Sequence, residues 1–215
     1  MGMKRMKKTK RIYSGTGDSR FSGQYRSPNG FTLIEIIVIL AVISILVAIL
    51  TPAVLKYISE AQQDRAQEDV KIINTALNDL IKDSGQYPGN MLQFGNPAKT
   101  FICGPGTQPG TGVVWCTAAN FRQLSNHLNV NDPNENGTPN EAADYRSTGK
   151  FRWRGPYVQG ISEDPWGNAY AINASTLVGG NTSPTWVVSA GPDGIFQTNT
   201  TDLTVTGDDI GIRIK

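Results

Sequence analysis

The sequence predicts an α+β fold. One long N-terminal helix, half apolar and half amphipathic, packs on a C-terminal antiparallel β-sheet, with a long loop region between them. Three observations predict it. Residues 31–50, FTLIEIIVILAVISILVAIL, are apolar except for Thr32, Glu35 and Ser44. Apolar residues then recur at three- and four-residue steps as far as Ile81, the period of a helix with one buried stripe. Short β-rich segments separated by turn pairs fill the last third of the chain.

The first element is a leader, residues 1–30. It holds eight basic residues against the single acid Asp18, a net of +7. Subtracting this from the chain's net +2 leaves −5 for residues 31–215. A basic head before an apolar run is the charge pattern of a membrane protein whose N-terminus stays in the cytoplasm, and it reads so rather than as a nucleic-acid tail. Residues 12–30 are polar and rich in Gly and Ser, which predicts poor order. The apolar run, with residues 31–52 as the membrane segment, spans roughly 30 Å as a helix, the thickness of the hydrocarbon core. Residues 53–84 continue it as an amphipathic helix. Val54, Tyr57, Ile58, Ala61, Val70, Ile73, Leu77, Leu80 and Ile81 form the apolar stripe, and Gly85 and Pro88 supply the stop.

Residues 85–150 read as a variable loop region, with a short helical stretch near Ala118–Leu128. Residues 151–215 form the sheet subdomain. Its strands are expected at Tyr157–Val158, Ala169–Asn173, Thr185–Ala190 and Ile210–Ile214. The sheet needs its apolar face covered, and the amphipathic half of the helix is the available cover. Cys103 and Cys116 lack metal-ligand spacing. Outside the cytoplasm they either form a disulfide, restraining their loop by roughly 3 kcal/mol, or remain buried thiols.

The junction of leader and helix is Gly30-Phe31-Thr32-Leu33-Ile34-Glu35. At these six positions the chain resembles the type IV prepilin family, which includes pilins and the pseudopilins of type II secretion. The resemblance implies a type IV pilin-like fold, removal of residues 1–30 by a prepilin peptidase cutting after Gly30, and N-methylation of Phe31. It implies a single-pass protein of the bacterial inner membrane, N-terminus cytoplasmic and C-terminal domain periplasmic. It also implies contact with membrane lipid before assembly, and then a homopolymer, built with other pseudopilins or pilins on an inner-membrane assembly platform. Glycine lets an extended backbone approach a protease closely. The cut would expose a largely cationic α-amine.

Glu35 lies in the apolar run, where an unpaired acid costs up to roughly 2.5–3.5 kcal/mol. Three readings follow: the carboxylate snorkels to the interface, pairs with its own N-terminus, or pairs with the Phe31 amine of a neighbouring subunit. The resemblance favours the last, which would fix the register of helices otherwise free to slide. Pro52 lies inside the helix and removes one backbone bond. It predicts a kink, or a local melt used in assembly.

Later segments extend the resemblance. Trp153-Arg-Gly-Pro-Tyr-Val158, Asp164-Pro-Trp-Gly-Asn-Ala-Tyr170, Ser189-Ala-Gly-Pro-Asp-Gly194 and Gly207-Asp-Asp-Ile210 look like the major, G-type pseudopilin. That branch implies calcium held by Asp193, Asp208 and Asp209; solvated turn acids are the alternative. A second segment, Asp132-Pro-Asn-Glu-Asn-Gly137, matches the first half of a calcium loop but has Ala143 where the bidentate acid belongs. Trp166 is expected to anchor a turn. No H-E-x-x-H, G-x-S-x-G or P-loop occurs, and the chain reads as a non-enzyme. The resemblance makes it a pseudopilin filament subunit driving protein export across the outer membrane; the alternative is a type IV pilin, major or minor, of a surface pilus.

Overall fold

The computed structural model describes residues 30–92, 99–110, 115–117 and 119–215. The expected disorder of the leader concerns residues 12–30, of which only Gly30 is described. The described residues divide into two compact units that part between Ala48 and Ile49.

Helix α1 runs Leu33–Ser84. It is helical on both sides of Pro52. Pro52 has no N–H to donate to the carbonyl of Ala48. The helix ends where expected: Gly85 takes φ 66° and its N–H donates to Ile81 O at 2.8 Å. A side chain would be strained in that left-handed conformation.

In the larger unit the buried face of α1 is Ala66, Val70, Ile73, Ala76, Leu77, Leu80 and Ser84. The predicted stripe began earlier, at Val54. Val54, Tyr57 and Ile58 are instead 51–69% exposed. The reason is reach: Gln62 and Arg65 bond to Pro165 O and Ser162 Oγ, both at 3.5 Å, and the buried face of the helix begins just beyond them at Ala66.

After helix α2 (Pro88–Leu92) come strands β1 (Phe101–Cys103) and β2 (Phe121–Gln123), helix α3 (Leu124–Leu128), then β3 (Ala171–Ile172), β4 (Trp186–Ser189) and β5 (Ile210–Arg213). The sheet order is β2-β1-β3-β4-β5. Three of its pairings are antiparallel, but β1 and β2 are parallel. Two predictions are thereby corrected. The loop region supplies two strands, one of them inside the segment expected to be helical. Tyr157–Val158 is no strand; single bonds from Tyr157 N to Leu128 O and from Asn129 Nδ2 to Val158 O hold it, and Pro156 beside it has no N–H for a ladder.

Alternation sorts the sheet residues onto two faces. Ile102, Ile172, Val187 and Ile212 pack with Val70, Ile73, Leu77 and Leu80 of α1, together with Leu124, Leu128, Tyr145 and Tyr170. The Tyr170 hydroxyl also donates to Asp69 Oδ2 at 2.9 Å. Phe101, Cys103, Ala171, Trp186 and Val188 face the other way, onto Trp115, Cys116 and Phe196. Loops cover this second face, pinned by indole bonds from Trp115 to Thr198 O and from Trp186 to Asp202 O, each 2.9 Å. Cys103 and Cys116 are disulfide-bonded within this layer, their Cα atoms 6.0 Å apart.

Candidate functional site

The site predicted at the start of the helix lies in one turn. Thr32 and Glu35 form a reciprocal cap. Glu35 N–H donates to Thr32 Oγ1 at 3.3 Å, while Thr32 N–H and Thr32 Oγ1 both donate to Glu35 Oε2, at 2.7 and 2.8 Å. This partner is none of the three anticipated for Glu35. The T-x-x-E spacing that signals it was there in the sequence. Among the described residues no donor reaches Oε1. Gly30 just before the cap is exposed, and a Cβ built there would meet nothing within 4 Å. The fold itself places no steric demand for glycine at this position.

Every apolar side chain that follows is open. Fifteen large ones between Phe31 and Leu50 are 44–81% exposed. Covering them is worth on the order of 20 kcal/mol, which rules out water as their resting environment. The helix is long and apolar enough to cross a membrane. Its hydroxyl at Ser44 donates back to Leu40 O at 2.7 Å, so Ser44 carries no unmet polar demand into lipid.

The three acids predicted as calcium ligands share one loop cluster but do different jobs. Asp193 Oδ1 accepts from Ile195 N–H at 2.8 Å, and its Oδ2 accepts from Gln197 Nε2 at 2.6 Å. Asp208 Oδ2 accepts from Asp193 N–H at 3.2 Å. Asp209 is buried, and its Oδ2 accepts from Gln197 and Thr198 N–H at 3.0 and 2.6 Å. Burial pushes the Asp209 carboxyl above its usual range, against bonds from Thr198 and Gln197 and with help from Asp208. Asp209 Oδ1 and Gln197 Oε1 are buried without a partner. These are oxygen donors of the kind a hard cation takes. Nevertheless, among the described residues no three His, Cys, Asp or Glu side chains converge as metal ligands.

The Asp132 loop is closed by its own bonds. Asp132 Oδ1 and Oδ2 accept from Asn136 and Gly137 N–H at 3.2 and 3.0 Å. Asp144, one residue beyond Ala143, reaches Asn134 Nδ2 at 2.9 Å. Asp164 organises the D-P-W-G-N turn: its Oδ1 accepts from Trp166 and Asn168 N–H, and Ser189 Oγ donates to its Oδ2 at 2.7 Å. Trp166 is half-buried there. His127 is fully buried, its Nδ1 2.7 Å from the Tyr145 hydroxyl, so it packs the core rather than a cleft.

Comparison with known proteins bears on both ends of the chain. Residues 25–51 match the model of the prokaryotic N-terminal methylation motif, and residues 119–208 match that of type II secretion system protein G. The chain is 28% identical to the type II secretion system core protein G of Pseudomonas aeruginosa, over 80% of this chain and 88% of the relative. Identity to the core protein G of Pectobacterium carotovorum is 22%, over 92% of each chain. The type IV major pilin of Myxococcus xanthus is 35% identical, over 32% of this chain and 30% of its own. No solved structure matches the chain.

Proposed function

We infer that this chain, which belongs to the type IV prepilin family and carries the protein G domain of type II secretion, is a pseudopilin: a filament subunit whose assembly drives protein export across the outer membrane. The observation that carries this is a wholly exposed apolar helix start, directly after an unconstrained glycine, joined to that domain. Its role is structural, in filaments with copies of itself and with other pseudopilins or pilins. The core-protein relatives span most of the chain, whereas the Myxococcus pilin spans a third of it. That difference favours the secretion filament over a surface pilus.

The proposed steps are supported by the chain's likeness to prepilins and by the residues at its helix start. The basic leader holds the N-terminus at the cytoplasmic face, and a prepilin peptidase cuts after Gly30. The new Phe31 amine is then methylated. It retains its charge and pairs with Glu35 of the next subunit. The cap occupies Oε2 of Glu35 and leaves Oε1 for that amine. An unpaired Glu35 penalises every other register. An inner-membrane platform lifts the helix from lipid into the fibre, with the C-terminal domain in the periplasm.

The residues that would hold a calcium ion here are Asp193, Asp208 and Asp209, with Gln197 beside them, although the three acids do not converge as metal ligands in this arrangement. Bound there, the ion would supply positive charge to the partnerless oxygens of Asp209 and Gln197 and tie the β4–β5 connection to the sheet. Calcium should therefore raise the melting temperature over that in chelator, and Asp208→Ala should abolish the difference; equal melting temperatures would remove calcium from the account.

Deleting the gene tests the function. Exoproteins should accumulate in the periplasm, and overproduction should yield shearable fibres of this chain. Normal secretion with loss of a surface fibre would instead assign a pilus.

A further inference from the structure

Residues 31–215 hold twelve basic residues, and four of them, Arg146, Lys150, Arg152 and Arg154, fall within nine positions of one exposed loop. The loop lies against the C-terminal end of α1: Arg152 N–H donates to Asp83 O at 2.8 Å, and Arg146 N–H to Gln86 Oε1 at 2.9 Å. In Lys150-Phe-Arg-Trp-Arg154 cations and aromatics alternate. Both aromatics make contacts, and Phe151 stays 53% exposed. Phe151 lies beside Gly85 with Lys150 over its ring at 5.5 Å, and Trp153 donates to His127 O at 3.2 Å and stands edge-on to Tyr157. Among the described residues none of the four cations makes an ion pair, in a body whose net charge is −5.

The complementary surface is on α1 itself. Glu60, Asp64 and Glu68 recur every fourth residue and are all exposed, about 6 Å apart along one side of the helix. Glu60 meets Lys56 at 3.6 Å in an open pair; Asp64 and Glu68 have no ion-pair partner among the described residues. Arg65 pairs with Asp69, off this row. Asp83, where the cationic loop is anchored, lies about 22 Å along the helix from Glu68 and about 35 Å from Glu60. The two surfaces of one chain therefore do not meet.

We propose that the loop Lys150–Arg154 docks on the Glu60–Asp64–Glu68 row of a second copy, a cross-link between parallel subunits displaced by roughly 28 Å along their helices. The inference rests on the filament reading and names the contact that reading requires outside the membrane. Charge complementarity carries it: every subunit supplies both halves, and the acidic row otherwise repels its neighbours. A nucleic acid fits less well: Trp153 is already bonded to His127 O and edge-on to Tyr157, which leaves Phe151 as the loop's one exposed ring, and the body's net charge of −5 opposes a polyanion.

The test uses fibres of the full chain sheared from cells. Carbodiimide joins a lysine to an adjacent carboxylate, so wild-type fibres should give a cross-linked peptide between Lys150 and Glu60, Asp64 or Glu68. Reversing the loop (K150E, R152E, R154E) or the row (E60K, D64K, E68K) should cut fibre yield at least tenfold at equal subunit level. Combining the two sets should restore at least half. The proposal is overturned if wild-type fibres cross-link only elsewhere, or if loop-reversed subunits assemble normally. Normal assembly with lost DNA retention would assign the loop to nucleic acid, and normal assembly with lost secretion would assign it to cargo. Absence of wild-type fibres would instead sink the filament reading itself.

Discussion

Thr32 and Glu35 form a cap, and in the proposed filament Glu35 would also pair with a neighbouring subunit; substitution separates the two roles. Glu35→Gln keeps an oxygen for the Thr32 cap but loses the charge. It should insert in the membrane normally and fail to assemble. Thr32→Ala loses the hydroxyl's two bonds of the cap, at about 1 kcal/mol, but keeps the backbone bond to Glu35 and the charge, and should still form fibres. Fibres from Glu35→Gln at wild-type yield would show that the cap alone matters. His127 makes a second residue-scale case. Burial, and then the charge of Arg122, lower its pKa from 6.5 to about 3. The folded state therefore excludes a proton that the unfolded state binds below about pH 6.5. Its contribution to stability is complete above that pH. It is lost as pH falls from 6.5 towards 3, by up to about 1.4 kcal/mol per pH unit. Urea unfolding in detergent from pH 7 to 4 should show this slope, and His127→Gln should flatten it. Equal slopes would place the acid sensitivity elsewhere.

Among the elements, β1 is the one held covalently, through Cys103 to Cys116. Their separation of 13 residues makes the link worth about 3 kcal/mol. Reduction should therefore lower the melting temperature of the larger unit by roughly 6–12 °C; an unchanged value would mean that the β1 layer does not limit unfolding. The elements also show what a sequence reveals. Helix α1 was legible because its period persists over many turns and Gly85 stops it. Strands β3, β4 and β5 were legible because β-rich runs lie between Gly, Pro and Asn turns, although each strand proved shorter than its run. Strands β1 and β2, three residues each, are too short to display alternation, and their parallel pairing joins segments that no turn connects. The exposure of Val54, Tyr57 and Ile58 was equally hidden, because periodicity records an apolar face without saying what covers it. At the site, the Gly30–Glu35 segment stands out in the sequence, but the Thr32–Glu35 cap that its T-x-x-E spacing signals was not anticipated. The acidic loop could not, since backbone N–H groups decide which carboxylate oxygens of Asp193, Asp208 and Asp209 stay free.

For the whole molecule the apolar surface decides. The unbroken exposure of Phe31 to Leu50 continues through Val54, Leu55, Tyr57 and Ile58, beyond what the sheet covers. Lipid can cover the first part, and neighbouring copies can cover both. In the proposed filament the leader would have to be gone before copies pack, because the cut would make the pairing amine. Mass spectrometry of the subunit in fibres sheared from cells measures this directly. A chain beginning at N-methylated Phe31 is the expected result. Intact fibres built from subunits that still carry residues 1–30 would contradict it.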